Sequence, residues 1–135
     1  MAKILVVDDE EHIVMILKDS LEFSGFQVVT AYNGEEALEM VEKGRPDLIV
    51  LDIGMPKLDG WQVCRQLKAD FRTKKIPIIM LTARSAQIEE LRGWESGADD
   101  YLTKPCDYKV LLEKIESFLP KTKPVGTARS EEMLP

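Results

Sequence analysis

The chain has 135 residues, 44% of them hydrophobic, which fits one globular domain with a single core. Its 18 Lys and Arg against 24 Asp and Glu leave a formal net charge of −6, which argues against a basic face for direct nucleic-acid binding. No apolar run approaches the roughly 20 residues of a membrane span, and Met1-Ala2-Lys3 leads straight into a strand pattern with no signal peptide, so the cytoplasm is the expected compartment and no membrane partner is expected.

Strand β1 is expected at Lys3–Val7, an aliphatic run that ends in Asp8-Asp9. Helix α1 follows over 10–24, where Ile13, Ile16, Leu17 and Leu21 recur on one face. Gly25 lies just past its end, where a left-handed residue is favoured. Strand β2 is Gln27–Ala31. Asn33 caps helix α2 (34–44), and Glu35 and Glu36 favour the positive end of its dipole. Gly44 closes α2, and Pro46 keeps the chain from continuing it. Strand β3, 48–51, is wholly aliphatic, as in a strand buried on both faces, and it runs into Asp52. A loop over 52–60 carries Met55-Pro56 and Asp59-Gly60 as turn signals. Helix α3 covers 61–69, and strand β4, 78–81, runs into Thr82. Helix α4, 86–95, is short and weakly amphipathic, and Gly97 ends it. Strand β5, 101–102, leads through Thr103 to Lys104-Pro105. Helix α5, 108–119, carries Leu111, Ile115, Phe118 and Leu119 at helical spacing and stops at Pro120. Residues 1–120 form the expected domain. Residues 121–135 have no periodic apolar pattern and read as a flexible tail or linker stub.

Short aliphatic strands alternating with amphipathic helices define an α/β fold with a parallel sheet, (βα)5. Right-handed crossovers place helices on both faces, giving a doubly wound three-layer sandwich of the flavodoxin-like type. In such a sheet, ligands bind beyond the carboxyl ends of the strands. Asp8, Asp9, Asp52, Thr82 and Lys104 all fall there. Each acid alone could be a helix cap; five such residues on one edge point to a site.

Adjacent carboxylates repel, and a hard divalent cation relieves them. Mg²⁺ takes oxygen ligands, whereas zinc prefers His and Cys, which the cluster lacks. Asp52 joins Asp8 and Asp9 if the first and third strands are neighbours, as the order 2-1-3-4-5 places them. A carboxylate beside Mg²⁺ can attack phosphorus and form an aspartyl phosphate. Asp52, central and followed by a loop, is the best nucleophile candidate. Thr82 offers a hydroxyl and Lys104 a positive charge to phosphoryl oxygens.

At these residues the chain resembles the receiver domain of two-component response regulators, chemotaxis regulators among them. The matching segments are KILVVDDE at 3–10, DLIVLDIGMPKLDG at 47–60, IIMLTA at 78–83 and GADDYLTKP at 97–105, and the resemblance covers about residues 2–120. It implies the sheet order 2-1-3-4-5 and phosphoryl transfer to Asp52 from the phosphohistidine of a sensor histidine kinase or phosphotransfer protein. It implies a Mg²⁺ site of Asp9, Asp52 and the Gly54 backbone carbonyl, with Asp8 assisting through water. Thr82 and Lys104 bind the phosphoryl group, and Thr82 and Tyr101 act as the switch pair. The Lys104–Pro105 bond is cis in such domains. The protein would catalyse its own phosphorylation and slow dephosphorylation without being a multiple-turnover enzyme. Its α4-β5-α5 surface would change to control an output partner or effector domain, or to form a phosphorylation-dependent homodimer.

Several positions qualify this picture. Gly54 and Arg84 occupy places that tune the phosphoryl lifetime in the family. Cys106 follows Pro105 where many DNA-binding regulators carry Phe, which argues against that subfamily. The two cysteines, Cys64 and Cys106, follow no metal or redox spacing and read as reduced packing thiols. His12 reads as a surface residue and Trp61 and Trp94 as packing residues. The competing readings are a receiver-like interaction module that is not phosphorylated, a phosphatase of the haloacid dehalogenase type, and a flavin protein. The first usually lacks one of the site residues; the second needs an Asp two residues after the first; in the third, Asp8-Asp9 would repel the cofactor phosphate.

Overall fold

The aliphatic runs take the strand conformation and line up with level ends. The computed structural model describes residues 1–55, 58–82 and 97–119. Its strands β1 (Lys3–Val7), β2 (Gln27–Ala31), β3 (Leu48–Asp52), β4 (Ile78–Thr82) and β5 (Asp100–Thr103) form one parallel sheet in the order β2-β1-β3-β4-β5. Val7 sits opposite both Ala31 and Leu51, Asp52 opposite Leu81, and Thr82 opposite Thr103. This register brings the strand ends to one edge.

The pleat sends alternate residues to opposite faces. Leu5, Val7, Ile49, Leu51, Ile78 and Met80 pack with α2 (Gly34–Gly44) and α3 (Gly60–Ala69) through Ala37, Val41, Trp61, Val63 and Leu67. Ile4, Val6, Leu48, Val50, Ile79 and Leu81 pack with α1 (Glu11–Phe23) and α5 (Tyr108–Phe118) through Val14, Leu17, Leu21, Leu111 and Ile115. The central strands β3 and β4 are buried along their whole length, which is why they contain almost nothing but aliphatic residues. The Tyr108 hydroxyl also joins α5 to α1, donating to the Ser20 carbonyl at 2.9 Å and lying 2.8 Å from Ser24 Oγ.

Where the elements differ from the sequence reading, the cause is local bonding. β3 extends through Asp52 because the ladder continues past it, with Ile53 N donating to Leu81 O at 2.9 Å. Asp52 is therefore the last strand residue and not the first of a loop, and Thr82 likewise ends β4. Gly44 closes α2 as expected, and the left-handed turn that follows, at φ 48°, falls to Arg45. The Gly44 carbonyl is held by Lys3 Nζ at 2.7 Å. Gly25 and Gly97 do adopt positive φ, at 99° and 89°. Asn33 caps α2 as expected, accepting from Glu36 N at 2.8 Å, while Asp59 and Gln62 form a capping box on α3. The expected α4 at 86–95, with Arg84 and Trp94, lies outside the described residues, as do 120–135.

At the amino edge of the sheet, Lys68 fastens three segments. Its Nζ donates to Lys74 O at 3.0 Å, to Ile76 O at 2.9 Å and to Asp99 Oδ2 at 2.9 Å. The same Asp99 oxygen accepts from Ile78 N at 2.8 Å.

Candidate phosphoryl-acceptor site

At the opposite edge, β1, β3, β4 and β5 deliver their terminal side chains to one place. Asp8, Asp9 and Asp52 each present a carboxylate oxygen, and these oxygens lie within 4.8 Å of one another. Asp8 is fully buried and Asp52 is 4% exposed, whereas Asp9 faces solvent. A buried carboxylate needs partners. Asp8 finds Lys104 Nζ at 2.8 Å and the backbone N–H of Glu10 at 3.0 Å. Lys104 Nζ also lies 3.1 Å from Asp52 Oδ1 and 3.6 Å from Glu10 Oε1. The loop that carries Lys104 is itself fastened to the sheet, because Lys104 N donates to Thr82 O at 2.6 Å. The Lys104–Pro105 bond is cis.

One ammonium thus serves several carboxylates, and the balance is negative. Burial pushes the Asp52 carboxyl above its ordinary pKa and neighbouring Asp8 adds to the rise; Lys104 and the Gly54 backbone only partly oppose it. Burial draws the Lys104 ammonium down, but Asp8 and Asp52 outweigh it, so its pKa stands above the usual lysine value. Three oxygen donors, two of them held inside the protein, suit a small hard dication, and no histidine or cysteine belongs to the cluster. The residues therefore fit Mg²⁺.

The structure brings Asp8, Asp9, Asp52 and Lys104 together, and it places Thr82, 5% exposed, at the end of the strand beside Asp52. Gly54 follows two residues after Asp52; it is exposed, and an added Cβ there would meet nothing within 4 Å. Tyr101 is half-buried on β5 opposite Met80 and packs against the α2–α3 core. His12 is exposed on α1 and is not part of the acidic cluster. Trp61 is buried in the core. Cys64 is buried and Cys106 half-buried; burial raises the Cys106 pKa, which disfavours the reactive thiolate. Glu10, given no chemical role by the sequence reading, also brings its carboxylate toward Lys104. Next to it a largely apolar cavity of about 410 Å³ opens between Ile13, Ile16 and Leu17 on α1 and Pro105-Cys106.

Residues 4–116 match the response regulator receiver domain family. The chain is 46% identical over 134 residues to the alkaline phosphatase synthesis transcriptional regulatory protein PhoP of Bacillus subtilis (strain 168), covering 97% of this chain and 55% of that protein. It is 47% identical over 131 residues to the response regulator MprA of Mycobacterium leprae (strain TN), covering 97% and 57%. The chain thus spans a little over half the length of these relatives. Among solved structures, the response regulator protein TrrA of Thermotoga maritima, in complex with Mg(2+)-BeF, superposes with a TM-score of 0.79 at 40% identity, covering 88% of this chain and 100% of that one. Among the described residues no helix is long and apolar enough to cross a membrane. With its five-stranded parallel sheet, its acidic edge and these matches, the chain belongs to the family of response regulator receiver domains.

Proposed function

We propose that this chain is a phosphoryl-operated switch whose acceptor is Asp52. The observation that carries the reading is the meeting of Asp8, Asp9 and Lys104 around the near-buried carboxylate at the end of the central strand β3. Asp52 attacks the phosphorus of a phosphohistidine on a sensor histidine kinase or phosphotransfer protein. The new O–P bond forms as the P–N bond breaks, and the imidazole leaves with the electron pair. Asp9, Asp52 and the Gly54 carbonyl would hold Mg²⁺, with Asp8 assisting through water. When bound, the ion neutralises charge on the phosphoryl oxygens and the carboxylates. Lys104 and the Thr82 hydroxyl then take the remaining phosphoryl oxygens, and Tyr101 follows Thr82 as the switch aromatic. The protein catalyses its own phosphorylation and slow hydrolysis and is not a multiple-turnover enzyme.

Residues 1–120 constitute the switching domain. The output is a change in the surface formed by α4, β5 and α5, read by a partner, an effector domain or a second copy. Similarity to a transcriptional regulator over about half that protein's length supports an output at the level of transcription, with DNA contacts made outside this stretch. A kinase fed by ATP places the reaction in the cytoplasm.

Acetyl phosphate supplies the test. Intact mass is read with and without Mg²⁺ for the wild type and Asp52→Asn. A phosphoryl-sized gain that needs both the ion and Asp52 is expected. No gain in the folded wild type would instead make the chain an interaction module that is not phosphorylated.

A further inference from the structure

The loop between β3 and α3 carries Gly54, and two glycines border it where no side chain fits. A Cβ built on Gly34 would overlap the Leu58 carbonyl oxygen and stand 2.9 Å from Leu58 Cβ and 3.0 Å from its Cγ. A Cβ built on Gly60 would overlap the Asp52 carbonyl oxygen and stand 2.8 Å from Ile53 Cα. Neither glycine is left-handed, so the requirement is for space and not for backbone freedom. Gly25, Gly44 and Gly54 have no such close neighbour, and at Gly97 the near atoms belong to a flexible lysine side chain.

Neither wall can retreat easily. The first turn of α2 is held by the Asn33 cap, by Tyr32 N donating to Glu36 Oε1 at 2.8 Å, and by the buried Ala37. On the far side, Gly60 N donates to Ile53 O at 3.1 Å, Met55 N to the same oxygen at 3.0 Å, and Met55 is 5% exposed. Leu58 is thus tied to Ile53 and Met55 through Asp59 and the Gly60 N–H on the Ile53 carbonyl.

We propose that Gly34, on a helix that contributes no group to the acceptor site, is a positioning residue for that site: its missing Cβ lets the β3–α3 loop seat against α2 and so sets the place of the Gly54 carbonyl beside Asp52. This rests on the Mg²⁺-dependent reading given above. Gly34→Ala pushes the loop while leaving every acid, Thr82 and Lys104 in place.

The test compares wild type, Gly34→Ala, Leu58→Gly, the double variant, and Val41→Ala, a buried truncation further along the same helix and in the same core. Two quantities are read: the Mg²⁺ concentration giving half-maximal phosphorylation by acetyl phosphate, and the shift of the Gly54 amide resonance on titration with Mg²⁺ alone. Gly34→Ala should raise both Mg²⁺ midpoints by about tenfold, within the range for groups that support metal ligands. Val41→Ala should leave them unchanged although it unfolds at lower temperature. Leu58→Gly should raise them slightly by itself yet lower them in the Gly34→Ala background, a coupling with opposite signs. If the wild type binds Mg²⁺ but gains no phosphoryl mass, the proposed function fails while the amide titration still judges Gly34. Wild-type midpoints in Gly34→Ala, or equal shifts in Val41→Ala, would overturn the positioning role. If Gly34→Ala does not fold, the midpoints of Leu58→Gly and of the double variant decide it: both unchanged overturns the proposal.

Discussion

Two lysines at opposite edges of the sheet are buried to the same degree, with side chains 16% exposed for Lys68 and 17% for Lys104. Their surroundings differ in charge. Lys68 meets one carboxylate and two backbone carbonyls, and its partner Asp99 has a second donor in Ile78 N. That network closes with one positive and one negative group. Lys104 faces Asp8, Asp52 and Glu10 at once, with Asp9 beside them. That network closes only if more positive charge arrives. Equal burial therefore produces a fastener at one edge and a receptive site at the other, and the ratio of acids to cations decides which.

The comparison breaks most sharply when each lysine is removed. Lys104→Met leaves buried carboxylates unpaired and should cost about 3 kcal/mol in urea unfolding without added metal. Millimolar Mg²⁺ should then restore more stability to this variant than it adds to the wild type. Lys68→Met should cost about 2 kcal/mol, since Asp99 keeps Ile78 N and the two carbonyls can reach water. Mg²⁺ should restore none of that loss; recovery there would show that the two edges do not differ as described.

A subtler test reads pH. Folding raises the Asp52 pKa above 3.8, so the protonated carboxyl is favoured in the native state. Its contribution to stability is then full below 3.8 and is lost as pH rises through the native value. The Asp52→Asn variant lacks that decline. Without metal it should be more stable than wild type at pH 7, by about 1 kcal/mol, and the advantage should vanish near pH 3. An advantage that persists in acid would point to packing. The Lys104 contribution is full below 10.5 and is lost at more alkaline pH, since its native pKa is raised. An effect of similar size belongs to the amino edge. Gly97→Ala meets positive φ and the Lys68 side chain and should cost about 1 kcal/mol, with no change in Mg²⁺ binding.

Much of this was legible in the chain because local patterns repeat the tertiary demand. The run Leu48-Ile49-Val50-Leu51 has no polar face, so only a strand covered on both sides could hold it. Asn33 and Gly25 announce helix ends because cap chemistry is local. The site acids stood out as polar ends on aliphatic runs. What stayed hidden depends on distance in sequence. Lys68 and Asp99 are 31 positions apart, and Gly34 meets Leu58 only because α2 and α3 share one face. The sheet order and the cis bond at Pro105 came from family resemblance, since neither spacing nor propensity specifies them. Gly44 does close α2, but the left-handed turn after it falls to Arg45, which no local pattern announces.

The bond from Lys104 N–H to the Thr82 carbonyl has a mechanical meaning. It joins the two groups proposed to grip the phosphoryl oxygens through their main chains, one strand apart. If Thr82 shifts, Lys104 is pulled along, and a loosened Lys104 loop tugs on Thr82. The pair behaves as one jaw and not as two fingers. Deuterium exchange at that single amide would serve as a clock for how often the jaw opens.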